Sequence, residues 1–168
     1  MSDTVRAADH ELLSDHDHER CIDDALGTAA ALCARRGARL TDLRRRVLEL
    51  VWQGHEAVKA YDVLERLGRA PGSAKPPTVY RALDFLMAHG LVHRLESLNA
   101  YVGCPQPERS HKGRFLICDA CGRVAEFDSA ALRTAIAREA HELGFAVRDE
   151  TVEVHGLCQR CQAAAPAA

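Results

Sequence analysis

The sequence contains no apolar run close to the roughly 18 residues that a membrane-spanning helix needs, and no apolar segment follows its N-terminus. We therefore expect a cytoplasmic protein with no signal peptide and no membrane partner. Aromatic residues make up only 5% of the 168 residues, yet 47% are hydrophobic, so the chain can bury a core. An odd count of seven cysteines fits a reducing compartment better than a disulfide framework.

The sequence also lacks a recognisable nucleophile paired with a general base. We therefore predict no catalytic residues, no small-molecule substrate and no enzymatic activity. A hydrolytic or redox zinc enzyme remains the alternative, because metal ligands of the right kind are present.

Four of the cysteines form two pairs with the same spacing, Cys118-x-x-Cys121 and Cys158-x-x-Cys161. A CxxC loop lets two sulfur atoms reach one zinc ion at about 2.3 Å, and two such loops complete a closed tetrahedral shell. Disulfides or a thioredoxin-like redox pair are the alternative, but a redox motif needs only one CxxC. The spacing predicts a structural zinc site.

The net charge of -2 hides an uneven distribution along the chain. Residues 1–32 carry eight acidic and two basic side chains, residues 33–81 carry eleven basic and five acidic ones, and the remainder carries nine basic and eleven acidic ones. The basic middle segment is a candidate surface for a polyanion such as nucleic acid, although a solvated charged face is the alternative.

The first 104 residues predict a small helical domain preceded by a tail. Residues 1–20 are acidic with few large apolar side chains, and we expect them to be mobile. Apolar spacing and capping residues then predict four helices and a hairpin. These are the helices Cys21 to Arg36, Thr41 to Gly54, Tyr61 to Leu67 and Pro76 to Gly90, and the strands Leu91 to Leu95 and Ala100 to Cys104.

Compact helices followed by a hairpin, with basic residues in the helices, predict a winged helix-turn-helix over residues 21–104. The fourth helix would be the recognition helix. Its apolar stripe leaves Thr78, Tyr80 and Arg81 off the core near its N-terminal end, where such helices meet base edges. A helical bundle with an exposed arginine is the alternative.

The rest of the chain predicts a linker and a second domain. Residues 105–112 contain two prolines and are polar, which is typical of a hinge. Residues 113–162 predict strands around the first cysteine pair, a helix capped by Asp128 and Ser129, and a last strand from Val147 to His155. This small α/β domain needs zinc or a partner subunit for stability. The predicted class is α+β, ending in a disordered tail at residues 163–168.

Three runs of the sequence together resemble the ferric uptake regulator family. They are KPPTVYRALDFL from Lys75, HRLESLNAYVGC from His93 and FLICDACG from Phe115. The resemblance covers about residues 30–162. It implies a dimeric, metal-dependent transcriptional repressor with an N-terminal winged helix and a C-terminal dimerisation domain. It also implies that Tyr61, Tyr80 and Arg81 contact DNA.

The resemblance further implies a regulatory metal site at the hinge, formed by His93, Cys104, His111 and Glu126. If the hairpin turns around Leu98 and Asn99, His93 lies directly opposite Cys104, with Cβ atoms about 5 Å apart. One thiolate, two imidazoles and one carboxylate suit tetrahedral zinc better than octahedral iron or manganese. Iron-sensing members typically carry a histidine-rich run where this sequence has Cys104. Each residue alone has an ordinary alternative as a solvated or core side chain.

The combined hypothesis is a zinc-responsive repressor with two Zn²⁺ per chain, one structural and one regulatory. Regulatory zinc would order a homodimer on a pseudo-palindromic DNA operator, in keeping with control of zinc uptake genes. A winged helix with a zinc ribbon that binds a protein and senses no metal is the second alternative. The operator sequence, the regulated genes, a third metal site and the zinc set point do not follow from the sequence.

Overall fold

The computed structural model describes residues 18–68, 75–108 and 113–164. Most of the predicted acidic tail, part of the predicted hinge with His111, and residues 165–168 lie outside this part of the chain. The elements in chain order are α1 (His18–Arg35), α2 (Asp42–Trp52), α3 (Ala60–Gly68), α4 (Pro76–Ala88), β1 (Val92–Leu95), β2 (Ala100–Gly103), β3 (Arg114–Cys118), β4 (Val124–Glu126), α5 (Ala130–Glu142), β5 (Val152–Gly156) and α6 (Gln159–Ala164).

The helix boundaries follow the local signals in the sequence. Thr41 caps α2, since its hydroxyl accepts a hydrogen bond from the backbone N–H of Arg44 at 3.4 Å. Pro76 opens α4, where a missing N–H has no helical partner to lose. Gly90 follows α4 with φ of 68°, a conformation that glycine adopts without strain. Helix α1 begins three residues earlier than predicted, at His18.

The first four helices and the hairpin share one apolar core. The recognition helix predicted from the sequence, α4, buries Val79, Ala82, Leu83 and Leu86 against the other helices. The guanidinium of Arg44 lies over the Phe85 ring, 3.5 Å from its centroid, and so holds α2 beside α4. The predicted winged-helix layout and the α+β class are confirmed by this arrangement.

The hairpin forms as predicted, but its predicted register was wrong by two residues. His93 pairs with Val102, and Leu95 pairs with Ala100, so His93 does not lie directly opposite Cys104. The connection is a four-residue turn ending at Asn99, whose φ of 47° is the left-handed conformation that asparagine tolerates. Because side chains alternate with a period of two, the shift keeps Cys104 on the same face as His93.

The C-terminal part is a three-stranded sheet in the order β4-β3-β5, with β5 parallel to β3. The predicted last strand was too long at its start: β5 begins at Val152 rather than Val147. Strand β5 pairs with β3 from Arg114 to Cys118. Because Arg114, the first residue of β3, pairs with Val152, the residues before Val152 have no strand residue to pair with. The short helix α6, which carries Cys161, was not predicted.

A second apolar cluster joins the hairpin to this sheet. Leu95 from β1 is fully buried against Phe115 and Ile117 from β3 and Val124 from β4. The α2–α3 connection adds backbone contacts, since Val58 pairs with Tyr101 in β2 and Glu56 pairs with Arg123 beside β4. The hairpin therefore rests directly on the C-terminal sheet.

The helix α5 contributes no buried residue to the single chain. Beyond its end, Leu143 and Phe145 are 83% and 68% exposed, and Val154 on β5 is exposed too. Large apolar side chains left exposed in this way are typical of a surface that another molecule covers. None of the helices in the described part of the chain combines the length and hydropathy that crossing a bilayer requires.

Candidate metal centres

The two cysteine pairs meet in space. The sulfur atoms of Cys118, Cys121, Cys158 and Cys161 lie within 4.8 Å of one another, and Cys121 Sγ lies 3.8 Å from Cys158 Sγ. A tetrahedral Zn–S bond of about 2.3 Å requires sulfur atoms roughly 3.8 Å apart. All seven cysteines fall within the described residues, and none is disulfide-bonded. The donor set fits zinc held by four thiolates.

Backbone groups of the two loops prepare these thiols for a cation. The N–H of Cys158 donates to Cys118 Sγ at 3.3 Å. Backbone donors from Cys158 and Cys121 lower the pKa of Cys118 to about 6, because they stabilise the thiolate. The pKa of Cys161 is raised to about 12, since hydrogen bonds to the sulfurs of Cys158 and Cys121 stabilise its protonated thiol. Four crowded sulfurs share protons until a metal replaces them.

The second cluster brings together three of the four residues predicted for the regulatory site. The ligand atoms of His93, Cys104 and Glu126 lie within 4.8 Å of one another, and His93 Nε2 is 3.2 Å from Glu126 Oε1. The three come from β1, from the residue after β2, and from β4. The cluster thus spans the junction between the hairpin and the C-terminal sheet.

This cluster is buried, unlike the four cysteines as a group. Cys104 is 3% exposed and Glu126 is 8% exposed. Burial, together with the nearby Glu126 charge, raises the pKa of Cys104 to about 12. A thiol, an imidazole and a carboxylate enclosed at this spacing are a chemically fitting donor set for Zn²⁺, which favours sulfur and nitrogen ligands.

The approach of the chain to this cluster depends on Gly113. A Cβ atom there would overlap the Phe115 ring and lie 3.2 Å from His93 Nδ1. The Phe115 ring is buried and tilts against the His93 imidazole, with centroids 5.4 Å apart. Phe115 therefore fixes the ring orientation, and Gly113 leaves room for it. Neither role was predicted. The sequence shows that Gly113 stands two residues before Phe115, but not that the Phe115 ring is buried against His93.

The fourth predicted ligand, His111, lies outside the described residues. Gly113 is the first residue described after it, and it already lies against His93.

The side chains predicted to contact DNA are exposed on the helical part. Thr78, Tyr80 and Arg81 all lie on the solvent side of α4, opposite its buried stripe. Tyr61, on α3, is 72% exposed and Tyr80 is 51% exposed. Large aromatic side chains exposed to this extent are unusual without a binding role. The helix face predicted from the sequence is confirmed, and the contact with DNA stays a prediction.

A further contact of the hairpin was missed in the sequence analysis. The carboxylate of Glu153 on β5 accepts hydrogen bonds from the backbone N–H groups of Glu96 and Ser97 in the hairpin turn, at 2.7 and 3.0 Å. The His155 side chain lies between Ser97 Oγ at 3.0 Å and Asp119 Oδ1 at 2.8 Å. These partners are more than thirty residues apart in sequence, so no local pattern could reveal them.

The model of the ferric uptake regulator family matches residues 35–155 of this chain. The zinc uptake regulation protein of Escherichia coli (strain K12) is 44% identical over 141 residues, which are 82% of this chain and 81% of that protein. The family model therefore spans most of the helical part and the three-stranded sheet up to His155, whereas Cys158 and Cys161 lie beyond the matched residues.

Solved structures show the same similarity in three dimensions. A structure described as a zinc uptake regulator complexed with zinc and DNA has a TM-score of 0.79 and 42% identity, covering 85% of this chain and 96% of that one. The holo form of a protein called XcZur has a TM-score of 0.75 at 44% identity, covering 82% and 96%. The apo form of XcZur has a TM-score of only 0.51 at 41% identity, covering 85% and 99%.

Proposed function

The chain belongs to the ferric uptake regulator family, and we propose that within it the protein is a zinc-responsive transcriptional repressor, cytoplasmic and without enzymatic activity. The observation that carries the proposal is the cluster of His93, Cys104 and Glu126 at the junction of the hairpin and the sheet. The similarity to a zinc uptake regulation protein and to a regulator bound to zinc and DNA supports it.

We propose two zinc ions per chain, one for each donor set. The four cysteines form a closed shell, which leaves no position for a substrate and so argues for a structural role and against a zinc enzyme. In the second cluster, His93, Cys104, Glu126 and His111 are the proposed ligands. Zinc bound there would supply a cross-link between the hairpin and the C-terminal sheet. Because Cys104 must lose its proton to become a ligand, binding is coupled to proton release.

The position of this cross-link explains how metal could control DNA binding. The hairpin packs on the helical core through Leu91 and Val92, so whatever fixes the hairpin also fixes α4. Moving the chain from about 1% to 99% in the DNA-binding arrangement requires roughly 5.5 kcal/mol of differential affinity. The higher similarity to holo XcZur than to apo XcZur supports the interpretation that the described arrangement is the metal-loaded one.

We infer a homodimer from the exposed apolar surface of the C-terminal part. Leu143, Phe145 and Val154 would be covered by the same residues of a second copy, which is the arrangement of a two-fold interface. A two-fold dimer presents two copies of α4, so its operator is a pseudo-palindrome with half-sites about one helical turn apart. Control of zinc uptake genes is the biological role that we infer.

The first test measures zinc content and DNA binding together. Metal analysis gives zinc per chain, and a binding titration against operator DNA is repeated across buffered free-zinc concentrations. Two zinc ions per chain, with DNA affinity rising as the second site fills, are expected. One zinc per chain with DNA affinity indifferent to zinc would contradict the proposal and favour the non-sensing module.

The DNA-reading face is tested with Arg81→Ala. Arginine is the usual reader of guanine, so its loss should reduce discrimination between operator and unrelated DNA by about 1–3 kcal/mol. Zinc content and dimerisation should not change, because Arg81 is exposed on α4. Discrimination equal to that of the wild type, measured at the same salt concentration, would remove Arg81 from the interface.

A further inference from the structure

The hairpin lies across the C-terminal sheet and is attached at both of the sheet's edges. At the β4 edge, His93 meets Glu126 at 3.2 Å within the proposed regulatory cluster. At the β5 edge, the turn between β1 and β2 meets Glu153. The first attachment involves the proposed metal ligands, and the second uses hydrogen bonds alone. The apolar contact of Leu95 with the sheet lies between these two attachments.

The β5 attachment, which we call the wing-tip latch, consists of Glu153, Ser97, His155 and Asp119. The carboxylate of Glu153 takes one backbone N–H on each oxygen, from Glu96 at 2.7 Å and from Ser97 at 3.0 Å. Two donors on one carboxylate are charge-assisted hydrogen bonds, about twice as strong as neutral ones. They also satisfy the backbone N–H groups of Glu96 and Ser97, which a hairpin turn does not pair in its own ladder.

His155 extends the latch toward the cysteine cluster. Asp119 as a carboxylate can only accept, so the Nδ1 of His155, 2.8 Å away, carries a proton. Nε2 of the same ring lies 3.0 Å from the Ser97 hydroxyl oxygen. Asp119 directly follows Cys118, and its backbone N–H donates to the carbonyl of Gly156 in β5 at 2.8 Å. The hairpin turn is thereby tied to the loop that holds the four cysteines.

We propose that Glu153 is a positioning residue, and that the wing-tip latch stabilises the closed arrangement of hairpin and sheet without metal. This inference rests on the proposed function. A latch that favours the closed arrangement brings His93 toward Glu126 before metal binds. Less of the free energy of zinc binding is then needed to close the hairpin onto the sheet. The latch therefore lowers the free-zinc concentration at which the regulatory cluster fills. By reciprocity, a filled regulatory cluster tightens the latch.

The test compares Glu153→Gln with the matched control Glu142→Gln. A glutamine has the shape of glutamate but only one acceptor atom, so one of the two turn N–H groups loses its partner. Glu142 is an exposed glutamate of the same domain, and its ion pair among the described residues is with Arg138 on its own helix, at 3.9 Å. Glu142→Gln changes the charge equally and leaves the latch intact.

Two readouts follow the latch and the regulatory cluster separately. Hydrogen exchange of the Glu96 and Ser97 amides in the zinc-loaded chain reports the latch directly. Chelator competition gives the free zinc needed to fill the second site. In Glu153→Gln we expect faster exchange at both amides and a requirement for roughly three- to tenfold more free zinc, as expected for a lost charged hydrogen bond at a half-exposed position. The control should match the wild type.

Several outcomes would overturn the inference, and they differ from a failure of the proposed function. A wild-type chain with two zinc ions, and a Glu153→Gln variant with the same zinc requirement, refutes the latch alone. A wild-type chain with one zinc refutes both. If Glu153→Gln loses the cysteine-bound zinc, Ser97→Ala decides the question: it removes the hydroxyl, which contacts both His155 and Glu153, but keeps the two backbone donors. It should raise the zinc requirement by a smaller factor, and an unchanged requirement refutes the latch.

Discussion

The two candidate metal clusters differ in how the fold assembles them. The four cysteines all belong to the C-terminal part: Cys118 ends β3, Cys121 follows it, Cys158 precedes α6 and Cys161 lies within α6. Backbone donors and hydrogen bonds among the sulfurs shift the pKa values of Cys118 and Cys161 in opposite directions. The cluster of His93, Cys104 and Glu126 is built across the junction of two parts of the molecule and is more deeply buried. A site within one part can hold that part together, whereas a site across a junction can report whether the junction is closed.

Of the changes that distinguish the two clusters, Cys118→Ser should have the largest effect on folding and zinc content. Apparent zinc-binding free energies at structural sites are on the order of 10 kcal/mol, and the C-terminal part has a sparse core without that contribution. We expect loss of the cysteine-bound zinc, with unfolding of the C-terminal part or loss of the dimer. Thermal unfolding, size-exclusion chromatography and metal analysis measure these effects.

The control for this variant is Cys21→Ser, which removes a thiol from α1, away from both clusters. Wild-type zinc content is expected for the control. A Cys118→Ser protein that stays folded, dimeric and zinc-loaded at both sites would contradict a structural role for the cysteine cluster.

The reciprocal change is Cys104→Ser. It should leave the cysteine-bound zinc and the fold in place, because the other cluster is complete without it. Loss of a metal-bound thiolate should weaken zinc binding at the regulatory cluster by at least about 100-fold, the upper range for changes to residues that only support ligands. DNA binding at a zinc concentration that saturates the wild type should fall accordingly. Cys33→Ser is the matched buried thiol, and DNA affinity unchanged in Cys104→Ser would exclude Cys104 from sensing.

A subtler change that separates the clusters is Gly113→Ala. The added methyl group would overlap the buried Phe115 ring and crowd His93 Nδ1, so the imidazole must move. Displacing the support of a ligand weakens metal binding by about 10- to 100-fold. The control is Gly156→Ala, where an added Cβ has no atom within 4 Å although the residue lies beside Cys158. Equal zinc affinities of the two variants, measured by competition, would show that Gly113 does not support the site.

The smallest expected effect comes from a change of pH, which alters how readily zinc displaces the proton of Cys104. Its pKa is raised to about 12, so between pH 7.5 and 8.5 the thiol is protonated before metal binds. Zinc binding must displace this proton, and the apparent affinity of the regulatory cluster should therefore rise with pH, by about tenfold per unit for one proton. Calorimetry in buffers of different ionisation enthalpy counts the protons released. An affinity independent of pH in this range would mean that Cys104 does not bind as a thiolate.

Several features of the fold were predictable because they depend on neighbours in sequence. Thr41 and Ser129 cap helices through hydrogen bonds within the first turn, so capping patterns locate them. The stripe of α4 repeats with the helical period, which correctly placed Tyr80 and Arg81 on the outer face. The hairpin existed as predicted, but its register depended on which of several turn conformations was adopted. Burial of Leu95 against the sheet and the left-handed conformation of Asn99 decided that.

The sequence by itself determined the chemistry of this protein: two CxxC pairs are read from spacing because each pair is one local loop around one ion. It also determined the recognition helix α4, since the amphipathic period of a helix is visible in its own sequence. Only the tertiary structure decided which side chains meet across the junction. His93 reaches Glu126 and the Glu96–Ser97 turn reaches Glu153 through contacts between residues 33 to 57 positions apart. Packing of the hairpin on the sheet creates these contacts, and packing is a property of the whole chain.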